Sequence, residues 1–305
     1  MKKKDVKIEN KFNWKKAISF LLVLWITGIL LDVIFFDVKT GNVAVIDVKG
    51  VIASNYDSFM SSGNADPDVI NGLINEAVKN PNTKAIVFEV NSGGGSPVAS
   101  DEISQKIESL KGLNITTIAY IRDIGASGAY WIAASTDHIM ANRMSLVGSI
   151  GVTGAYLSFE GLLDRYNITY NRMIAGDYKD LGSPYKEMTD EEKEMLEMLL
   201  FDLRDEFIYQ VSSGRNMNIE KVESFATGEV WLGKEALRLG FVDSLGSEAE
   251  LISFLETKLN ETVQFEEYHR EVSFSEMIYG FTNGFGKSIG EGLTSDITNS
   301  KLYIR

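Results

Sequence analysis

The stretch ITTIAYIRDIGASGAYWIAAS, residues 115–135, changes character around a single serine. Residues 115–121 are rich in β-branched side chains and predict a strand, whereas residues 128–135, GAYWIAAS, predict a short apolar helix. Ser127 stands between them, flanked by alanine and glycine. The same two textures recur on either side. Strands are expected over residues 43–50 (VAVIDVKG), 84–90 (KAIVFEV) and 138–141 (HIMA), and helices over residues 67–80 (PDVINGLINEAVKN) and 98–110 (VASDEISQKIESL). Strands alternating with helices at this spacing imply crossover connections and a parallel α/β sheet.

Further along, Thr189 is followed three residues later by Glu192, a capping box that opens a long helix to about residue 213. A short helix near residues 234–239 is closed by Gly240, and FVDSLG, residues 241–246, reads as a last core strand and turn. From about Val263 the chain turns polar and glycine-rich, and a loosely held tail is expected over residues 263–305.

The 305 residues are 44% apolar, enough for one sizeable domain with appendages or for two domains. There is no cysteine, which excludes disulfides, thiolate metal sites and a cysteine nucleophile. A net charge of −13 argues against a nucleic-acid partner. Lysines crowd residues 1–16, and residues 17–36, AISFLLVLWITGILLDVIFF, follow at once. As a helix that run spans roughly 30 Å, the hydrocarbon thickness of a bilayer. Asp32 lies near its far end, where a carboxylate can reach the interface. No A-x-A-like site closes the run, so an uncleaved single-pass anchor is expected rather than a signal peptide. The lysine cluster would stay cytoplasmic and everything after residue 37 would face outward from the cell membrane. The expected organisation is a basic segment 1–16, an anchor 17–36, a main domain 37–262 and a tail 263–305.

Ser127 is placed at or beside a helix N-terminus, where free amides stabilise a developing oxyanion. Its chemistry would then be that of a nucleophile; a plain helix cap is the other reading. VNSGGGSP, residues 90–97, sets three glycines between a strand and a helix, so that amides can turn toward a bound group. The loop lacks the G-x-x-x-x-G-K-[ST] spacing of a phosphate loop, and an oxyanion hole suits it better than phosphate binding; a tight turn is the structural alternative. The histidines are His138, in a strand pattern, and His269, in the tail. A lysine is therefore the better base, at a cost of about 4 kcal/mol to lower its pKa toward neutrality by burial. Composition leaves open which lysine. Ser183-Pro184-Tyr185-Lys186 and Lys39-Thr40-Gly41 match the S-x-x-K and KTG signatures of penicillin-interacting enzymes, but in the wrong order and without an SDN, so both are taken as coincidence.

Five ordered segments, VNSGGGSPVASDEI, IGASGAYWIAAS, LVGSIGVTG, AGDYKDLGSPYKEMTDEEK and TGEVWLGKEALRLGFVDSLG, resemble the short, single-repeat form of the signal peptide peptidase A family. The resemblance runs from about Val43 to Leu259 and includes the preceding anchor. It implies serine-lysine proteases with a ClpP/crotonase-like α/β fold of repeated ββα units behind one N-terminal transmembrane helix. By motif position it implies Ser127 as nucleophile, Lys179 as general base, Ser149 as the serine bonded to that lysine, and the Gly94 and Gly128 amides as oxyanion donors. It also implies peptide substrates such as leftover signal peptides, a homo-oligomeric ring of eight with serine and lysine meeting across a subunit boundary, and neither metal nor cofactor. One departure is Gly93, where the family has proline. Asp177 and Asp180 flank Lys179 and must turn away from it for the chemistry to work. A crotonase-type acyl-CoA enzyme and a non-catalytic membrane scaffold or immunity protein are the alternative functions.

Overall fold

Strand β3 (Thr116–Ala126) organises the sheet, because it is long enough to hold two neighbours in succession on one edge. Its first half pairs in parallel with β4 (His138–Ala141), Ile118 opposite His138, and its second half with β5 (Leu146–Gly148), Ile124 opposite Leu146. On its other edge lies β2 (Ala85–Ser92) and beyond that β1 (Val43–Lys49), both parallel. Three short strands complete eight: β6 (Val230–Leu232) antiparallel on β5, β7 (Ser244–Leu245) on β4, and β8 (Phe265–Tyr268) on β1. The computed structural model describes Trp14, residues 18–23 and 25–27, residues 40–54 and residues 64–270.

The parallel connections are the expected helical crossovers. Helix α1 (Pro67–Lys79) is capped by Asp66 and begins with proline, and α2 (Pro97–Glu108) is capped by Ser96 and begins the same way. After β3 comes α3 (Gly128–Ala134), every residue of which is buried. Then follow α4 (Glu160–Arg165), α5 (Asp190–Gly214), α6 (Ile219–Phe225), α7 (Gly233–Leu239) and α8 (Glu248–Leu259). The Thr189 capping box forms as expected, and Gly240 closes α7 at φ 92°.

The strands are buried on both faces, which is why they read as continuous apolar runs. Ile86 and Phe88 of β2 face the main core under α1 to α3, and Ala85 and Val87 face a smaller cluster beneath Leu251 and Leu255 of α8. Each fully buried valine, leucine, isoleucine or phenylalanine among them is worth about 1.5–3 kcal/mol.

Several features depart from the sequence reading. Helices α4, α6 and α8 and strands β5 and β6 have no counterpart in it. The first residues assigned to the tail are part of the sheet, since Phe265–Tyr268 pair with Val43–Ile46. Parallel pairing with a central strand overrides local polarity there, one face of β8 meeting the smaller core. The rest of the tail, from residue 271, lies outside the described residues, as do residues 1–13 and most of the expected anchor. Residues 18–23 and 25–27 of that anchor are helical. Among the described residues no helix is long and apolar enough to cross a membrane.

Candidate active site

Ser127 occupies the step between β3 and α3 with φ 54° and ψ −129°. That conformation suits glycine, and holding a side chain in it costs on the order of 1–3 kcal/mol. The backbone is fixed from both sides: the Ser127 amide donates to the Gly148 carbonyl at 2.8 Å, and its carbonyl accepts from the Tyr130 and Trp131 amides. Its hydroxyl makes no cap hydrogen bond, which removes the plain helix-cap reading. A strained serine on a sharp strand-to-helix turn presents its Oγ to whatever lies above the sheet.

The glycine loop comes up against this turn. Gly94 has φ 99°, and a Cβ there would meet the Gly128 nitrogen at 2.7 Å and the Ser127 Cβ at 2.8 Å. A Cβ on Gly128 would lie 3.3 Å from the Gly95 nitrogen and 2.3 Å from Ser100 Oγ. Backbone amides of Gly94, Gly95 and Gly128 thus crowd around Ser127, and only the absence of side chains permits it. The loop is pinned below by Ile52, whose amide donates to the Gly94 carbonyl at 3.1 Å and whose carbonyl accepts from Ser96 at 2.7 Å. The Gly94 N–H itself donates to the buried Ser92 hydroxyl at 3.1 Å, so a bound oxyanion has to share or displace that acceptor. Gly128 N–H is the first of α3 and has no acceptor within the helix.

Ser149 shares the positive φ of Ser127 one strand over. It follows Gly148 of β5, has φ 53°, and its amide donates to the Glu229 carbonyl at 2.7 Å. The structure therefore gathers Ser127, Ser149, Gly94 and Gly128 at one end of β2, β3 and β5.

Lys179 is not gathered with them within the chain. It sits exposed in the turns of residues 176–183, its amide donating to the Gly176 carbonyl, and its ammonium makes no hydrogen bond to Ser127 or Ser149. Asp180 is turned to Arg172, and Lys186 is held by Glu192 and Asp180, which occupies the ammonium of the S-x-x-K match. Lys39 of the KTG match lies outside the described residues. His138 pairs with Ile118 at the far end of β3, roughly 30 Å along the strand from Ser127. It donates to or accepts from Ser244 Oγ at 2.7 Å and stacks on Phe254, and burial pushes its pKa down. His269 follows β8 at the opposite edge of the sheet. Neither imidazole serves Ser127 in this chain.

Several residues at the site were not singled out by sequence. Ser100 and Ser104 are fully buried on one face of α2, Ser100 against Gly128 of α3 and Ser104 accepting a hydrogen bond from Gln210 of α5; their i, i+4 spacing was the available signal. Ser92 lies within the glycine-loop stretch but was given no role of its own, and Arg172 carries no motif. Among the described residues, no group of three His, Asp or Glu side chains could hold a metal ion.

A protein-family model described as "Peptidase family S49" matches residues 111–262, a span that holds Ser127, Ser149 and Lys179. The "Putative protease" of Methanocaldococcus jannaschii is 30% identical over 276 residues, 90% of this chain and 88% of that one. The "Putative signal peptide peptidase SppA" of Enterococcus faecium is 32% identical over 185 residues, 60% of this chain and 54% of that one. "Protease 4" of Haemophilus influenzae is 29% identical over 219 residues, 72% of this chain and 35% of that one. With the serine turn and its glycine loop in place, the chain belongs to peptidase family S49, the signal peptide peptidase A-type family of serine proteases.

Proposed function

We propose that the protein is a membrane-anchored endopeptidase in which Ser127 and Lys179 form a catalytic dyad. The observation that carries this is the Ser127 turn: an uncapped hydroxyl on a backbone at φ 54°, beside amides stripped of side chains. Ser127 Oγ attacks the scissile carbonyl carbon while its proton passes to the neutral Lys179 amine. The Gly94 and Gly128 amides take the oxyanion. Collapse expels the peptide amine, which receives the proton from Lys179, and leaves an acyl-enzyme; water, deprotonated by the same lysine, then releases the acid. Ser149 orients the lysine from beside Ser127.

Lys179 reaches Ser127 from a neighbouring subunit in this reading. Support comes from the surface: α4 has no buried residue, and around it Leu157, Tyr166, Ile168 and Met173 stand 73%, 68%, 56% and 93% exposed. So apolar a stretch on one chain fits a contact with further copies in a ring. The apolar run 17–36 supports an anchor that leaves the catalytic domain outside the cytoplasm. Apolar peptides such as leftover signal peptides are the substrates that this location and the relatives' names suggest.

The test is fluorophosphonate labelling of the full-length protein. Wild type should label at Ser127, while Ser127→Ala and Lys179→Ala should not. Particles assembled from both mutants together should regain peptidase activity that neither has alone. Full labelling of Lys179→Ala would refute the dyad, and mixed particles as dead as their parents would refute its sharing between subunits.

A further inference from the structure

A carboxylate standing against an ammonium makes it hold its proton more tightly. Around Lys179 the chain places Asp177, Tyr178 and Asp180 on the same turn, Arg172 before it, Lys186 and Glu187 after it, and Glu191 and Glu192 on the first turn of α5. Most of these charges are already taken. Arg172 grips Asp180 at two points, Nε to Oδ2 at 2.6 Å and Nη2 to Oδ1 at 2.7 Å, with Lys186 Nζ at 3.7 Å from the same Oδ1. Those hydrogen bonds hold the Asp180 carboxyl below the usual range. Arg172 Nη2 also donates to the Asp177 carbonyl at 3.2 Å, so one guanidinium clamps the turn on both sides of Lys179. Glu192 is bonded to Lys186, and Glu191 accepts from the Tyr178 hydroxyl. The Lys179 ammonium has neither an ion pair nor a side-chain hydrogen bond among the described residues.

We propose that Arg172 is a positioning residue for Lys179, drawing the Asp180 carboxylate aside and fixing the turn so that the neighbouring amine is free to act as the base. This rests on the reading of Lys179 as base given above. A two-point Arg–carboxylate pair is the geometry that fixes a carboxylate's direction as well as its charge. Lys186 alone, a point charge on a flexible stem, would leave the carboxylate free to swing.

The readout is the pH profile of the fluorophosphonate labelling rate, measured on the full-length assembled protein. In Arg172→Gln the released Asp180 carboxylate should favour the protonated lysine and move the midpoint of the acid limb upward. A shift of about one pH unit, or about tenfold in rate on that limb, is the size expected for one charge a few ångströms away near a surface. The plateau rate at high pH should stay close to wild type. Arg172→Gln/Asp180→Asn, which removes the carboxylate too, should return the midpoint to its original place. A uniform loss of rate with an unmoved midpoint, or a double mutant that stays shifted, would overturn the assignment. Lys179→Ala separates the two readings: if it labels like wild type, the base lies elsewhere and both fall. If it is silent while Arg172→Gln keeps the wild-type midpoint, the base stands and the role of Arg172 alone is lost.

Discussion

Ser127 and Ser149 occupy the same step of adjacent parallel strands: each follows a residue of the last bridge, Ala126 opposite Gly148, and their φ angles are 54° and 53°. The Ser127 amide donates to the Gly148 carbonyl, so the two turns are tied together rather than independently strained. Glycine before Ser149 and glycine after Ser127 let both turns be tight. Two serines in backbone conformations that serine does not favour, side by side at the end of a sheet, mark a place where the fold gives up stability for reach.

Replacing Ser127 tests that strain directly. Both Ser127→Ala and Ser127→Gly remove the nucleophile and should abolish labelling, but only alanine keeps a Cβ at positive φ. Ser127→Gly should therefore be the more stable of the two by about 1 kcal/mol, seen as a higher midpoint in thermal or denaturant unfolding. Equal or reversed stabilities would mean the turn is not strained.

Glycines in the two motifs should not be equivalent. A methyl on Gly128 would lie 2.3 Å from Ser100 Oγ, so Gly128→Ala should cost on the order of 1–3 kcal/mol and displace the turn. Ser100→Ala removes that oxygen and leaves its Cβ at 3.4 Å, so the double mutant should recover part of the loss. At Gly93 the same methyl meets only Ile124 Cδ1 at 3.8 Å, and Gly93→Ala should fold and label like wild type. Labelling and unfolding midpoints of the three variants check the ranking. A damaging Gly93→Ala would show that this residue, where the resembling family carries proline, needs glycine's freedom.

The ion pair of half-buried Lys186 with buried Glu192 should make part of the stability acid-sensitive. Hydrogen bonds from Lys186 and the Thr189 amide hold the Glu192 carboxyl below its ordinary range. A depressed carboxylate contributes stability that is complete above its unfolded pKa, about 4.3, and is lost as pH falls through the lower folded value. Lys186→Gln should be less stable than wild type at neutral pH, and the gap should narrow as the pH drops below about 4. Unfolding midpoints across that window measure it; a gap constant with pH would mean that the pair carries no linked charge.

Much of the fold was legible because parallel strands buried on both faces leave unbroken apolar runs. Residues 43–49, 85–90 and 116–121 announced themselves in this way, and the Thr189 cap carried its own signature. Strands β5 and β6 were not legible: at three residues each, they owe their place to β3 and to each other rather than to any local pattern, whereas β7 falls within the strand and turn expected over residues 241–246. Helix α8 lies over the smaller core with Leu251 and Leu255 alone fully buried, too thin a stripe to stand out. At the site, small residues around Ser127 signalled crowding correctly. Two partners that make it tight, Ser100 and Ile52, are brought up by tertiary packing that no local pattern shows. Arg172 and Asp180 meet across a glycine-containing turn that no periodicity describes.

His138 tests how local the chemistry is. It sits at the far end of β3 from Ser127, hydrogen-bonded to Ser244 and stacked on Phe254, with Asp243, Arg215 and Lys258 as the charges that act on it. Burial pushes its pKa below the ordinary 6.5, Asp243 pulls the other way, and Arg215 and Lys258 add to the lowering. As pH falls below 6.5 the unfolded chain takes up its proton first, so this residue's contribution to stability, full above that value, is lost toward the lower folded pKa. His138→Phe keeps the stacking and removes the titration. Its stability relative to wild type should therefore rise as the pH drops through that window and stay level above it, while Ser127 labelling at pH 8 remains intact. Loss of labelling in a folded His138→Phe protein would tie this imidazole to catalysis and count against Lys179 as the sole base.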